Sequence, residues 1–143
     1  MVQKLRDITS AGVMDCRKAL IEANGDMDAA VKIIHEKGLA KVEKRSGRET
    51  GAGLVQSYVH NERIGVLLHL SAETDFVVRS EPFRALAHDL AMHIAAAAPK
   101  DVEELMAQPY IKDESRTVKD VVSEVIAKVG ENVTINQFYR IDA

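Results

Sequence analysis

The spacing of apolar residues changes character near residue 53, and that change divides the chain. Before it, Val2, Leu5 and Ile8 recur at intervals of three, which puts one apolar stripe on a helix. After it, Leu54–His60 and Ile64–Leu70 read as strands, and the short polar Asn61-Glu62-Arg63 between them reads as a hairpin connection. A chain of 143 residues has room for one ordinary domain or for a small module joined to a larger one. The switch from helical to strand spacing favours the second arrangement.

Within the helical part, Thr9-Ser10-Ala11-Gly12 breaks the first stripe, with Gly12 supplying backbone freedom. A second helix is predicted from about Met14 to Ala23, with Asp15 near its positive end. Asn24-Gly25 signals a turn, and Asp26 is the expected N-cap of a third helix. That helix buries Ala30, Val31 and Ile34, with Leu39 as a further candidate, and Gly38 is placed as its C-terminal cap. Isolated helices below about 12–15 residues are marginal in water, so the three must pack together. A three-helix module over residues 1–39 is the result. Residues 40–53, charged and holding Gly47, Gly51 and Gly53, read as a linker, with a frayed helical extension as the alternative. Glu43 and Glu49 interleave with its basic residues, as in a solvated segment.

Residues 54–143 alternate strand and helix signals. The run Ile64–Leu70 is apolar at nearly every position, as in a strand buried on both faces or lying at a sheet-to-sheet contact. Ser80-Glu81-Pro82 opens a long helix whose buried stripe is Phe83, Leu86, Ala87, Leu90, Ala91 and Ile94, and Pro99 stops it. Asp101–Ala107 is predicted as one or two helical turns. Thr117-Val118-Lys119-Asp120 resembles a capping box and opens a helix that Gly130 closes; Val133–Ile141 reads as a third strand. The expected fold is α+β: a three-helix module, then a three-stranded antiparallel sheet with helices on one face.

Catalytic signatures are mostly absent. There is no GxxxxGK[ST], GxGxxG or GxSxG pattern. The histidines 35, 60, 69, 88 and 93 include no i, i+4 pair, so HExxH-type zinc ligation is excluded, and each is expected at the surface or an edge. Cys16, the single cysteine, reads as a half-buried packing residue, with a reactive thiol near a helix N-terminus as the alternative. One cysteine supports no internal disulfide and suits a reducing, cytoplasmic setting. The net charge of −3 argues against general nucleic-acid binding. No apolar run approaches the roughly 18 residues of a membrane span, and Met1–Asp7 carries no secretory or transit pattern. No enzyme, cofactor or metal site is expected.

One segment is harder to place. Glu73-Thr74-Asp75-Phe76-Val77-Val78 puts a phenylalanine and two valines into a connection that should be exposed. Either a turn at Thr74 or Asp75 folds Phe76 back into the core, or the segment projects an acidic–aromatic tip toward a partner.

Together, Lys4–Arg6, Thr9–Leu20, Glu22–Asp26, His60–Val66, Glu73–Val77, Leu90–Ala95, Gln108–Lys112 and Ile126–Asn132 resemble the translation elongation factor Ts family, over nearly the whole chain and in order. The resemblance implies a UBA-like N-terminal module and a guanine nucleotide exchange factor for elongation factor Tu, with no catalytic residue. It implies that Thr74, Asp75, Phe76 and Val77 form the loop that disturbs the partner's Mg²⁺ and nucleotide site. Arg6, Val13, Met14 and Arg17 would dock on the same nucleotide domain, and His60 on a more distant partner domain. Val13 stands where the family usually has methionine, giving a shorter reach. The helical hairpin that short members insert is missing, since only residues 100–107 separate Pro99 from Gln108. A homodimer packed through the sheets is implied, without a disulfide, because Tyr139 stands where some short members have cysteine. Two other readings remain open. One is a ubiquitin-associated-type interaction module; the other is a ribosome- or RNA-associated factor using Lys41, Lys44, Arg45 and Arg48.

Overall fold

The computed structural model describes residues 1–143, which divide into two compact units, Met1–Lys44 and Arg45–Ala143. The first unit is built from α1 (Val2–Thr9), α2 (Val13–Glu22) and α3 (Met27–Arg45). Its small core is Leu5, Cys16, Ala19, Leu20 and Ala30, with Val2, Ile33 and Ile34 packed at the edge. Cys16 is fully buried, its thiol facing the Ala11 carbonyl at 3.8 Å. It is a packing residue.

Two details of this unit differ from the sequence-based expectation. The residue with left-handed backbone at the first break is Ser10 (φ 58°), whereas Gly12 is extended (φ −66°) and serves as the N-cap of α2. Gly38 does not end the third helix: α3 runs on to Arg45, through residues 40–45 of the expected linker. One glycine costs a helix interior only about 1 kcal/mol, and the helix formers after it (Leu39, Ala40, Lys41) compensate. Lys41 also reaches back to Asp15 at 3.5 Å. At the other end Asp26 caps as expected, its carboxylate accepting from the Ala29 N–H at 3.2 Å.

The second unit is a three-stranded antiparallel sheet in the order β1 (Ala52–His60), β2 (Ile64–Ala72), β5 (Val133–Asp142). The hairpin between β1 and β2 turns on Asn61 (φ 50°) and Glu62 (φ 61°), both left-handed, which suits the twist of paired strands. The long helix α5 (Glu81–Ala97) covers one face by packing on β1 and β2, and Phe83, Leu86, Leu90 and Ile94 of the helix are buried there, as are Leu68 and Leu70 of β2. The opposite face is open, and Leu67 is half exposed, so β2 is not buried on both sides within one chain. Between β2 and α5 lies a single turn, α4 (Asp75–Val78), and between α5 and β5 come α6 (Val102–Ala107), a short hairpin of β3 (Pro109–Tyr110) and β4 (Asp113–Thr117), and α7 (Val118–Val129). The β3–β4 hairpin has no counterpart in the sequence reading, because five polar residues, Asp113–Thr117, carry no strand pattern. The Thr117–Asp120 capping box is formed in both directions, and Gly130 closes α7 with φ 77°.

His93 departs most from expectation. It is fully buried rather than at an edge, stacked on Tyr110 with ring centroids 6.0 Å apart. Its Nε2 faces the Gln108 side-chain oxygen at 2.9 Å, and its Nδ1 accepts from the Ile111 N–H at 3.3 Å. That pattern requires a neutral ring with the proton on Nε2. Burial holds the imidazole below its ordinary value of 6.5, against a smaller opposing effect of the Gln108 bond. The unfolded chain therefore takes up this proton first as pH falls, and stability declines over the range that begins near the unfolded value of 6.5 and runs downward. The thermal midpoint should fall across that window by less in His93→Gln than in the parent; equal slopes would contradict this origin.

Candidate functional site

The connection from β2 to α5 contains a single helical turn, α4 (Asp75–Val78), with Thr74 as its N-cap. Thr74 is extended (φ −130°, ψ 154°), and its hydroxyl accepts from the Val77 N–H at 3.4 Å. Asp75 occupies the first turn, where a carboxylate suits the helix end. Ser80 closes the turn by donating its hydroxyl to the Val77 carbonyl at 2.6 Å, so it does not cap α5 with its side chain.

Along this turn the side chains part company. Val77 and Val78 are 5% and 7% exposed, whereas Phe76 is 85% exposed. The core reading of Phe76 is therefore replaced by a projecting ring, and the apolar partners that fold inward are the two valines. Of the four residues the resemblance assigns to the loop, Thr74, Asp75 and Phe76 are at the surface, and Val77 is beneath it. A free phenylalanine of this exposure forgoes about 1.5–3 kcal/mol that full burial would give.

The base of the tip is tied to a second segment. The Glu131 carboxylate accepts from both the Thr74 N–H (3.0 Å) and the Thr74 hydroxyl (2.8 Å). Reciprocally, Glu73 accepts from the Asn132 N–H at 2.9 Å and pairs with Arg48 at 3.6 Å. Glu131-Asn132 entered the sequence reading only as part of a resembling stretch. Its one local signal is a carboxylate directly after a helix-closing glycine, where no local need for it exists.

The other expected contact residues lie elsewhere. In the first unit Arg6, Val13, Met14 and Arg17 are exposed, Val13 at 49% and Met14 at 58%. Arg6 is oriented by a long bond (3.4 Å) to the Ala11 carbonyl. In the second unit His60 stands at the hairpin end, its Nδ1 2.9 Å from the Tyr58 hydroxyl. No three of His, Cys, Asp or Glu gather where they could hold a metal ion, and no helix is long and apolar enough to cross a membrane.

The family model for elongation factor TS matches residues 73–143, starting at the tip itself. Over 98% of its length the chain is 40% identical to the elongation factor Ts of Fervidobacterium nodosum, 94% of which is covered. The chain belongs to the elongation factor Ts family. The elongation factor Ts of Thermotoga maritima is likewise 40% identical, with 98% of this chain and 92% of that protein covered. That of Desulforamulus reducens is 39% identical, over 98% and 86%. Membership places the chain among translation elongation factors.

The alignment with the Fervidobacterium factor runs over 186 positions, although this chain has 143 residues. The elongation factor Ts relative thus carries positions with no counterpart here. Between Pro99 and Gln108, where the sequence reading finds the hairpin missing, the structure has only α6, capped by Asp101 on the Glu104 N–H at 2.8 Å.

The division between anchor and tip predicts opposite effects of neighbouring truncations. Val77→Ala should cost about 1.5–3 kcal/mol of stability, from lost buried carbons and the cavity they leave. Phe76→Ala should stay within about 0.5 kcal/mol, as surface changes do. Denaturant unfolding measures both; a large loss for Phe76→Ala would mean the ring packs inward in solution.

Proposed function

We propose that this chain is a guanine nucleotide exchange factor for elongation factor Tu and that the Asp75–Phe76 tip is its working element. The observation that carries this reading is the 85% exposure of Phe76 on a turn whose following residues are buried. An aromatic ring held in water on a fixed base is suited to enter a partner's groove, since it buries a large area with few rotors to immobilise.

The reaction needs no bond made or broken by this chain. If the factor binds nucleotide-free partner more tightly than the GDP complex, linkage requires that GDP be held more weakly in its presence. Each tenfold weakening takes about 1.4 kcal/mol of differential interaction. Burying Phe76 supplies about 1.5–3 kcal/mol, on the scale of a ten- to hundredfold effect. Phe76 would act as the wedge and Asp75 as its polar companion beside the partner's Mg²⁺ site. Magnesium demands near-ideal octahedral geometry, so small displacements of its ligands weaken the nucleotide's hold. Arg6, Val13, Met14 and Arg17 would dock the first unit on the same nucleotide domain, and His60 would reach a more distant one.

The open sheet face supports a further assignment, a homodimer. Val55, Val59, Leu67, Tyr139 and Ile141 all stand on it and are half to over two-thirds exposed. Leu67 lies opposite both Ser57 and Tyr139, so the patch is continuous across the three strands. Contiguous apolar surface of this kind usually marks an interface.

Two measurements test these assignments. Phe76→Ala should lower catalysed release of fluorescent GDP from elongation factor Tu at least tenfold with little loss of fold; an unchanged rate would refute the role of the tip. Sedimentation at micromolar concentration should give a dimer that Leu67→Arg converts to a monomer. A monomeric parent chain would rule out the sheet interface.

A further inference from the structure

Phe76 makes its contribution only if the turn beneath it holds one orientation, and a single turn has little stability of its own. The backbone N–H of Thr74 precedes that turn, and its hydrogen-bond partner comes from a residue 57 positions away, Glu131. The same carboxylate accepts from the Thr74 hydroxyl with its other oxygen. A hydroxyl that donates to Glu131 has its lone pairs turned toward the helix amides, where it accepts from the Val77 N–H. One side chain therefore fixes both the backbone at the entry to α4 and the rotor that caps it. Bonds to an ionised acceptor are shorter and about twice as strong as neutral ones.

Glu131 is itself held. Gly130 closes α7 just before it, and Asn132 just after it is 6% exposed. The Asn132 side chain donates to the carbonyls of Ser46 (3.4 Å) and Arg48 (3.0 Å), and its N–H to Glu73 (2.9 Å). Adjacent residues on two distant segments thus exchange carboxylate-to-amide bonds, Glu131 with Thr74 and Glu73 with Asn132. Both hydrogen bonds of the Glu131 carboxylate go to Thr74, the residue that caps the turn. Its effect passes through Thr74.

We propose that Glu131 is a positioning residue for nucleotide exchange: through both oxygens on Thr74 it holds the α4 turn so that Phe76 is presented in one orientation. This rests on the reading of the Asp75–Phe76 tip given above. Displacing a reacting or contacting group by about 1 Å can cost up to a hundredfold in rate, so loosening the turn should be visible in kinetics before it is visible in stability.

The test uses the full chain and elongation factor Tu loaded with fluorescent GDP, with the release rate followed over a range of factor concentrations. Glu131→Ala should lower the limiting rate about five- to tenfold while the half-saturating concentration changes by less than about twofold. Glu131→Gln keeps the length and one acceptor and should lose about two- to threefold; it decides the question where Glu131→Ala does not retain its circular dichroism. In a Phe76→Ala background Glu131→Ala should produce no further loss, because the residue acts through that ring. A parental limiting rate in both Glu131 variants, or losses that multiply with Phe76→Ala, would overturn the assignment while leaving the tip's role intact. An effectless Phe76→Ala would instead remove the reading of the tip, and this assignment with it.

Discussion

Leu68 and Leu70 of the central strand are fully buried beneath α5, and the position of every other feature in the second unit follows from that contact. It sets the end of β2 against the start of α5, leaving residues 73–80 to make the connection. Val77 and Val78 satisfy the core at that corner, so Phe76, between an exposed aspartate and a buried valine, has no inward direction left. The exposed ring is a consequence of packing its neighbours. Its hydrophobic cost is borne by a unit that buries many apolar side chains, Phe83, Leu90, Ile94 and Leu105 among them.

The small first unit depends on different physics. Five buried residues hold three helices together, and α3 extends well past them as a polar helix ending at Arg45. Such a unit can keep Val13 and Met14 at the surface because Cys16, Ala19 and Leu20 provide the inward face of the same helix. Of the apolar residues left exposed, which also include Ile8, Ile21 and Leu39, Val13 and Met14 are the two that the family resemblance associates with docking.

Much of this was legible in the chain. Periodicity located α5 and α7, the capping box at Thr117 was evident from residue types alone, and the three sheet strands differ from expectation by only a few residues at their ends. These features rest on local chemistry. What was not legible rests on contacts remote in sequence. His93 shares its helix face with core residues, yet its partners Gln108 and Ile111 lie on another element, so only the fold shows that its polar atoms are satisfied inside. Pattern favours an inward Phe76, and the structure turns it outward because the two valines after it take the buried positions. Glu131 and Thr74 meet across 57 residues, and no local rule marks either as half of a pair. Gly38 misled for the opposite reason: a local stop signal was overridden by good helix formers beyond it.

The claim that ties these parts together is that one exposed ring enters the nucleotide-binding domain of a GTPase. Replacing Phe76 with its photoreactive benzoyl derivative, and mapping the crosslinks formed with nucleotide-free elongation factor Tu, tests it directly. Crosslinks should concentrate in the nucleotide-binding domain, beside the residues that hold Mg²⁺, and should fall when excess GDP is added. Crosslinks confined to another domain, or none in a complex that forms with normal affinity, would contradict it.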